Sequence, residues 1–231
     1  MTLFYTRGEL GFRIAIFFGS ALLAAAFSGL ISYGVFQINH VSVKGWMWLF
    51  IIEGGMTVVT AFIAFLIAAG YGIAHLVSES GGDSRSPRMR AARCYSAAEA
   101  GFVFCTCVLV SGPIWAKPVW GAWWRWEPRL TTFLILWATY AAGILMRSSI
   151  DRAPVRDRMM SVYTILAALE IPIVYASVLF WRPESQFHPA RIHLDSAFLW
   201  PLWISMTALT ALFFAFWRIR TRIVLWEDKP A

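Results

Sequence analysis

A short tryptophan-rich segment, residues 115–131, carries the densest group of side chains that could bind a flat ligand. Five indoles fall within twelve residues, at Trp115, Trp120, Trp123, Trp124 and Trp126. Charged residues and prolines interrupt them and predict that the segment lies outside the membrane spans; these are Lys117, Pro118, Arg125, Glu127, Pro128 and Arg129. An indole combines a large apolar face with one N–H donor, which suits both the membrane–water boundary and flat aromatic ligands. The segment is therefore either an aromatic belt or a binding platform.

Histidines in the neighbouring loops are the candidate metal ligands. Three of the four fall in loops predicted to share a membrane face with the tryptophans, namely His40, His188 and His193. Imidazole supplies axial ligands to iron, indole faces stack on aromatic rings, and guanidinium groups pair with carboxylates through two hydrogen bonds. This combination fits a flat, apolar macrocycle with a metal centre and two carboxylates. We predict His40 and His188 as its axial ligands, with His193 as the alternative to His188.

The charged residues of the tryptophan segment have two interpretations. Arg125 and Arg129 could pair with the carboxylates of a ligand or with an acidic partner. They also flank Glu127 in the sequence, so the three side chains could instead form a local ion pair, which contributes little stability at a surface. Each loop histidine, taken alone, is likewise more often a solvated side chain than a ligand.

The composition predicts a membrane protein. Of the 231 residues, 59% are hydrophobic and 14% are charged, which is far too apolar for a soluble domain of this size. Six apolar runs are long enough to cross a bilayer, at residues 14–34, 46–69, 94–115, 130–146, 159–180 and 197–217. The first run is longer than the core of a usual signal peptide, which favours a retained span. We predict an all-α, polytopic fold of six transmembrane helices, with residues 1–231 as a single membrane domain and the 115–131 segment between spans three and four.

Lysine and arginine distribution predicts the orientation. Fourteen of the 20 lie in the N-terminal tail, the loops after spans two and four, and the C-terminal tail, whereas six lie in the other three loops. Positive charge accumulates on the cytoplasmic side of membrane proteins, so both termini are predicted to be cytoplasmic and the tryptophan segment to lie on the outer face. The net charge of +7 is thereby explained without nucleic-acid binding. Residues 78–87, rich in serine and glycine, are predicted to be a flexible cytoplasmic loop.

Several reactive residue types have structural interpretations. Cys105 and Cys107 lie in an apolar run and are predicted to pack in a helix, and His75 lies near the cytoplasmic end of span two, where we expect no ligand role. Glu53 and Glu170 fall inside predicted spans, where a carboxyl group usually faces the interior of the bundle and is hydrogen-bonded to a neighbour. No Cys-x-x-Cys-His, Cys-x-x-Cys or phosphate-binding glycine loop is present in the sequence.

The tryptophan segment resembles the WWD motif of haem-handling membrane proteins. Residues 120–131, Trp-Gly-Ala-Trp-Trp-Arg-Trp-Glu-Pro-Arg-Leu-Thr, are most similar to the motif of the cytochrome c maturation protein C (CcmC) family, Trp-Gly-Thr-Trp-Trp-x-Trp-Asp-Ala-Arg-Leu-Thr. The lead-in from Ser111 also resembles that family. So do His40-Val41 with Trp46, and the stretch from Ile171-Pro172-Ile173 to Trp181 and His188. The resemblance covers residues 35–60 and 105–190.

The resemblance implies a haem-handling role in c-type cytochrome biogenesis at the bacterial inner membrane. Haem b would be held non-covalently and transiently between the tryptophans and two axial histidines, carried over to His40 and His188. It would be presented on the periplasmic face to the haem chaperone CcmE, in a complex with the small subunit CcmD and the transporter subunits CcmA and CcmB. The covalent bond would form on the chaperone, so the family pattern implies a handler rather than an enzyme.

Two of the departures from the family motif lie at and beside its acidic residue, and other classes stay open. Glu127 stands where the motif has aspartate, and Pro128, which follows it, would stiffen or break a helix there. Other WWD proteins usually carry Trp-Asp-Pro-Lys-Glu-Thr, so Pro128 resembles them whereas Arg129-Leu130-Thr131 resembles the CcmC branch. The alternatives are a b-type redox membrane protein and a cofactor-free permease or scaffold subunit.

Overall fold

The computed structural model describes residues 45–79, 85–180 and 196–227. They form helices α1 (Gly45–Glu79), α2 (Arg85–Trp120), α3 (Pro128–Ser148), α4 (Ala153–Ala168), α5 (Glu170–Phe180) and α6 (Ser196–Glu227). No strand occurs within these residues, in agreement with the predicted all-α fold. The predicted first span, His40, His188 and His193 lie outside the described ranges.

Four helical segments are long and apolar enough to cross a membrane. They are Gly54–Ser78, Pro87–Trp120, Pro128–Ser148 and Ala153–Ser177, and they contain or overlap predicted spans two to five. The protein is therefore a membrane protein. The predicted sixth span lies within α6, which is helical but is not one of these four segments, so the count of six spans is not confirmed.

Two of the predicted boundaries are wrong. The predicted loop 78–87 is shorter, because α1 continues to Glu79 and α2 begins at Arg85. The tryptophan segment was predicted to lie outside the spans, but α2 extends to Trp120 and contains both Pro113 and Pro118. A proline removes only one backbone hydrogen bond, and a long membrane helix retains the others on either side.

The end of α2 and the start of α3 have local causes. Gly121 adopts φ 75°, a left-handed conformation that glycine enters without strain, and its N–H donates to the Lys117 carbonyl at 3.0 Å. Pro128 occupies the first turn of α3, where its missing N–H would have no helical partner. Pro128 therefore begins a helix, and the tryptophan loop of residues 121–127 is confined between two defined helix ends.

Pro172 interrupts the helix of the fifth predicted span. Its nitrogen has no hydrogen to donate to the carbonyl of Ala168, four residues earlier, and α4 ends at that residue. The Leu169 N–H instead bonds the Leu166 carbonyl at 3.1 Å, and α5 starts at Glu170. The break places the carboxyl group of Glu170 at a helix junction inside the bundle.

Small residues bring α1, α2 and α3 close together. The Phe65 ring of α1 stacks on the Tyr140 ring of α3 with centroids 3.7 Å apart, and both side chains are fully buried. Gly101 of α2 also lies against Phe65, so close that an added Cβ would stand 2.5 Å from the ring. Close approach over small residues is the usual packing device between membrane helices.

Gly101→Ala is expected to lower the stability of the protein by about 1–3 kcal/mol, the usual cost of overpacking a core. Phe65 cannot move away easily, because it is stacked on Tyr140. Thermal unfolding in detergent measures the effect. The matched control is Gly112→Ala on the same helix, where an added Cβ meets nothing within 4 Å. Equal melting temperatures for the two variants would contradict the packing account.

The arginine-rich ends of the helices meet at one end of the bundle. Arg220 of α6 pairs with Glu99 of α2, and Arg147 of α3 pairs with Asp157 of α4. His75 connects α1 to the start of α2, since its Nδ1 lies 3.0 Å from the Pro87 carbonyl oxygen and the side chain is buried. The residues 121–127 lie at the opposite end of α2 and α3, as the predicted topology requires.

Candidate functional site

Four of the five tryptophans form two edge-to-face pairs around the end of α2. Trp115 and Trp120 lie on the last turns of α2, with ring centroids 5.0 Å apart and an interplanar angle of 85°. Trp124 and Trp126 lie in the loop, with centroids 5.8 Å apart at 75°. In neither pair do the two rings stack face to face, so neither ring blocks the whole face of its partner.

Two of the loop indoles are open to a ligand. Trp123 is 58% exposed and Trp126 is 75% exposed, whereas Trp115, Trp120 and Trp124 are partly buried. The Nε1–H groups of Trp115 and Trp124 are buried and have no acceptor among the residues that the structure describes. A buried donor without an acceptor costs about 1–3 kcal/mol, so a rearrangement that offers one an acceptor is favoured.

Glu127 is the buried acidic residue of this segment. It is the N-cap of α3 with an extended backbone, and its side chain does not bond the helix N-terminus. The residue is only 4% exposed, and its carbonyl accepts the Thr131 N–H at 3.0 Å and the Thr131 hydroxyl at 2.9 Å. The positive end of the helix dipole favours a negative charge here. Glu127 is therefore buried at the junction between the loop and α3 and is not part of the exposed surface of the loop.

The cations of the segment are held differently from one another. Lys117 donates to the Gly121 carbonyl at 3.1 Å, and the exposed Arg125 donates to the Trp120 carbonyl at 3.4 Å, so both close the C-terminus of α2. Arg129 is partly buried in the first turn of α3, near enough to Glu127 and to Tyr175 of α5 to interact with them electrostatically. Arg125 is therefore the more accessible of the two arginines predicted to contact carboxylates.

Glu170 behaves as predicted for a carboxyl group inside a span. Thr139 of α3 donates a hydrogen bond to its Oε1 at 2.9 Å. Its Oε2, and the hydroxyl of Tyr140 nearby on α3, are buried and have no hydrogen-bond partner among the described residues. Sequence reasoning missed Thr139, because no pattern marks a lone threonine as the partner of a residue 31 positions away. Glu53 lies within α1, but its side chain is not among those that the structure describes.

Two of the three cysteines are packed in the core. Cys105 of α2 is fully buried, as predicted, whereas Cys107 on the same helix is exposed, contrary to the prediction that it packs. Cys94 is also buried, with its sulfur 3.4 Å from the hydroxyl of Thr164 on α4. No group of histidine, cysteine and acidic side chains among the described residues has the arrangement of a metal site.

The structure brings together one part of the predicted site. The five tryptophans, Arg125, Glu127 and Arg129 lie within one continuous stretch at one end of the bundle. The predicted axial ligands His40 and His188 are not among the described residues, so their role stays a prediction. Tyr175 of α5 lies near enough to Arg129 to interact with it electrostatically.

Comparison with known proteins identifies the family. The family model described as heme exporter protein C matches residues 56–230. The heme exporter protein C of Paracoccus denitrificans is 27% identical over 194 residues, covering 78% of this chain and 80% of that protein. That of Bradyrhizobium diazoefficiens is 34% identical over 122 residues, covering 51% of this chain and 46% of the relative. The match of the family model includes the tryptophan segment and His188 but begins after His40.

A second similarity is of a different kind. A major facilitator-type transporter, hxnP, of Emericella nidulans is 64% identical over 64 residues, which cover 28% of this chain. The chain spans only 13% of the length of that transporter. The heme exporter match is the broader one, because it extends over most of the chain and contains the whole tryptophan segment. The chain belongs to the heme exporter protein C family, CcmC, a family of haem-handling membrane proteins of the transporter or scaffold kind rather than enzymes.

Proposed function

We propose that this protein binds haem b non-covalently and transiently and presents it to the haem chaperone CcmE on the periplasmic face of the bacterial inner membrane. The observation that carries this proposal is the pair of open indoles, Trp123 and Trp126, at the end of the bundle away from the arginine-rich ends. An exposed apolar ring at a defined helix junction is suited to stack on the face or the vinyl edge of a porphyrin.

Iron is held by histidine in this proposal. His188 is the first axial ligand, because it lies in the part of the chain that the family model matches. His40 is the second, because the sequence around it resembles that of the family. Two axial ligands fix the plane of the ring while leaving one edge free for transfer.

The polar groups of the tryptophan segment orient the haem. Arg125, exposed beside Trp126, pairs with a propionate or with an acidic patch on the chaperone. The indole N–H groups of Trp115 and Trp124 can donate to a propionate once the loop adjusts, which would satisfy two buried donors. Glu127 and Arg129 lie at the start of α3, where their interaction fixes the end of the loop and so positions its tryptophans.

The proposed partners follow from the family. CcmD, a small subunit, joins this chain, and CcmA and CcmB drive release of the loaded chaperone. In this proposal both termini are cytoplasmic, and the chain itself forms no covalent bond to haem. It is therefore a handler of its cargo and not an enzyme.

An optical spectrum of the purified protein, prepared without the chaperone, tests the proposal. The expected result is a Soret band as isolated or on addition of haem, which fades when the chaperone is added under conditions that load it. A preparation that neither contains nor takes up haem would refute the proposal. Reduction of a stably bound haem by quinol would favour the b-type redox alternative instead.

A cofactor-free permease subunit is the second candidate, and the facilitator-type transporter similarity is the observation in its favour. That similarity covers 64 residues, far less than a complete transporter. The two candidates differ in one measurable property, because the permease would be colourless and indifferent to added haem.

A further inference from the structure

A basic groove lies at the arginine-rich end of the bundle, away from the tryptophan segment. It occupies about 410 Å³ between α1, α2 and α6. Its lining includes Tyr71, Arg93, Trp217, Arg218, Thr221 and Arg222. The groove is therefore separate from the proposed haem site, and its interpretation does not depend on it.

Positive charge in this groove is not neutralised by the described residues. Arg218 and Arg222 are one turn apart on α6, and Arg93 faces them from α2. No carboxylate lines the groove, and none of the three arginines forms an ion pair within the described part of the chain. The nearby carboxylates of Glu99 and Glu227 both pair with Arg220 instead. The groove consequently has three guanidinium groups available for an anion.

Two aromatic side chains line the groove, and hydrogen bonds fix their positions. The Trp217 ring lies against the Tyr71 ring with centroids 5.5 Å apart. The Trp217 Nε1–H donates to the Arg93 carbonyl at 2.9 Å, and Arg93 Nη1 donates to the Tyr71 hydroxyl at 3.4 Å. The Thr221 hydroxyl donates to the Trp217 carbonyl at 2.7 Å. These contacts connect α1, α2 and α6, so the groove is built by three helices.

Apolar surface continues from the groove along α6. Phe216, Ile219 and Ile223 are exposed on this helix, at the end where the predicted sixth span stops. A ligand that fits must therefore join an anionic head to an apolar tail and must lie at the membrane boundary. Basic pockets between helices at the cytoplasmic face recognise anionic lipid headgroups for this reason.

We propose that this groove binds the phosphodiester headgroup of an anionic phospholipid, with the acyl chains lying along the exposed face of α6. Arg218 and Arg222 bind the phosphate oxygens, and Arg93 closes the site from α2. Guanidinium groups bind phosphate through two parallel hydrogen bonds, which gives geometry as well as charge. The bound lipid joins α6 to the α1–α2 pair.

The test is lipid binding by the delipidated full-length protein in detergent, followed by its melting temperature. Phosphatidylglycerol is expected to raise the melting temperature, whereas phosphatidylcholine is not. The R218Q/R222Q variant is expected to bind phosphatidylglycerol about ten- to thirtyfold more weakly, since each arginine near an anionic surface contributes about fivefold. The matched control is R152Q/R158Q, which removes the same charge from exposed arginines at the same end of the bundle.

Three results overturn the proposal. One is equal lipid affinity for the two double variants, which means that the groove is not the site. A second is stabilisation by phosphatidylcholine as strong as that by phosphatidylglycerol. The third is saturation by inorganic phosphate with no gain from the acyl chains, which assigns the groove to a soluble phosphate. If R218Q/R222Q does not fold, the exposed single variant R222Q is compared with R152Q by the same titration.

Discussion

His188→Ala is expected to weaken haem binding by about 100-fold and to shift or abolish the Soret band. Loss of an axial ligand removes a bond to iron, and even substitutions one shell further from a metal commonly cost 10–100-fold in affinity. Of the two proposed ligands, His188 is the one inside the region that the family model matches, which begins at residue 56. A haem titration of the purified variant, read at the Soret maximum, gives the change in affinity directly.

Two other histidines control this experiment. His193 lies five residues after His188 in the sequence, so His193→Ala removes an imidazole from the same predicted loop and is expected to leave the spectrum unchanged. His40→Ala is expected to change the spectrum if His40 is the second ligand. Should His193→Ala lose the Soret band while His188→Ala keeps it, the assignment within this loop is reversed. An unchanged spectrum in the His40, His188 double variant excludes both residues as ligands.

The membrane spans could be predicted well because length and apolarity alone decide them. Four of the six predicted runs fall in helical segments of sufficient length. One of these four, the fifth run, is interrupted at Leu169, because Pro172 has no N–H to continue the helix. The positions of helix ends were harder. The polar residues from Arg85 are helical because α2 packs along α1 and α6. Pro118 was predicted to interrupt the tryptophan segment, but it lies inside a helix that continues to Trp120.

The candidate binding residues could be identified from the sequence by their residue types. Their individual roles, however, depend on contacts with residues that are distant in the sequence. Composition alone could not show that Glu127 is buried as the N-cap of α3 whereas Arg125 is exposed. Nor could it separate open indoles from partly buried ones, since the five tryptophans are chemically identical. The left-handed turn at Gly121 separates Trp115 and Trp120 from the loop, but within the loop Trp124 is partly buried whereas Trp123 and Trp126 are exposed.

Replacing Trp123 and Trp126 together by alanine is expected to weaken haem binding about ten- to a hundredfold and to reduce transfer to the chaperone. An aromatic pair contributes about 0.5–1.5 kcal/mol beyond the area it buries, and two rings are removed. The fold should tolerate the change, because both side chains are largely exposed. Haem titration and the rate of chaperone loading measure the effect, with the melting temperature as the check on folding.

Trp226 supplies the control that separates a binding platform from an aromatic belt. It is 77% exposed, almost the same as Trp126 at 75%, but it adjoins Leu225, whose carbonyl contacts Arg88 near the start of α2. It therefore lies at the opposite end of a helix about 50 Å long. Trp226→Ala removes an equally exposed indole and is expected to leave haem affinity unchanged. If both replacements weaken haem binding equally, the indoles act through the membrane as general anchors, and the tryptophan segment is a belt after all.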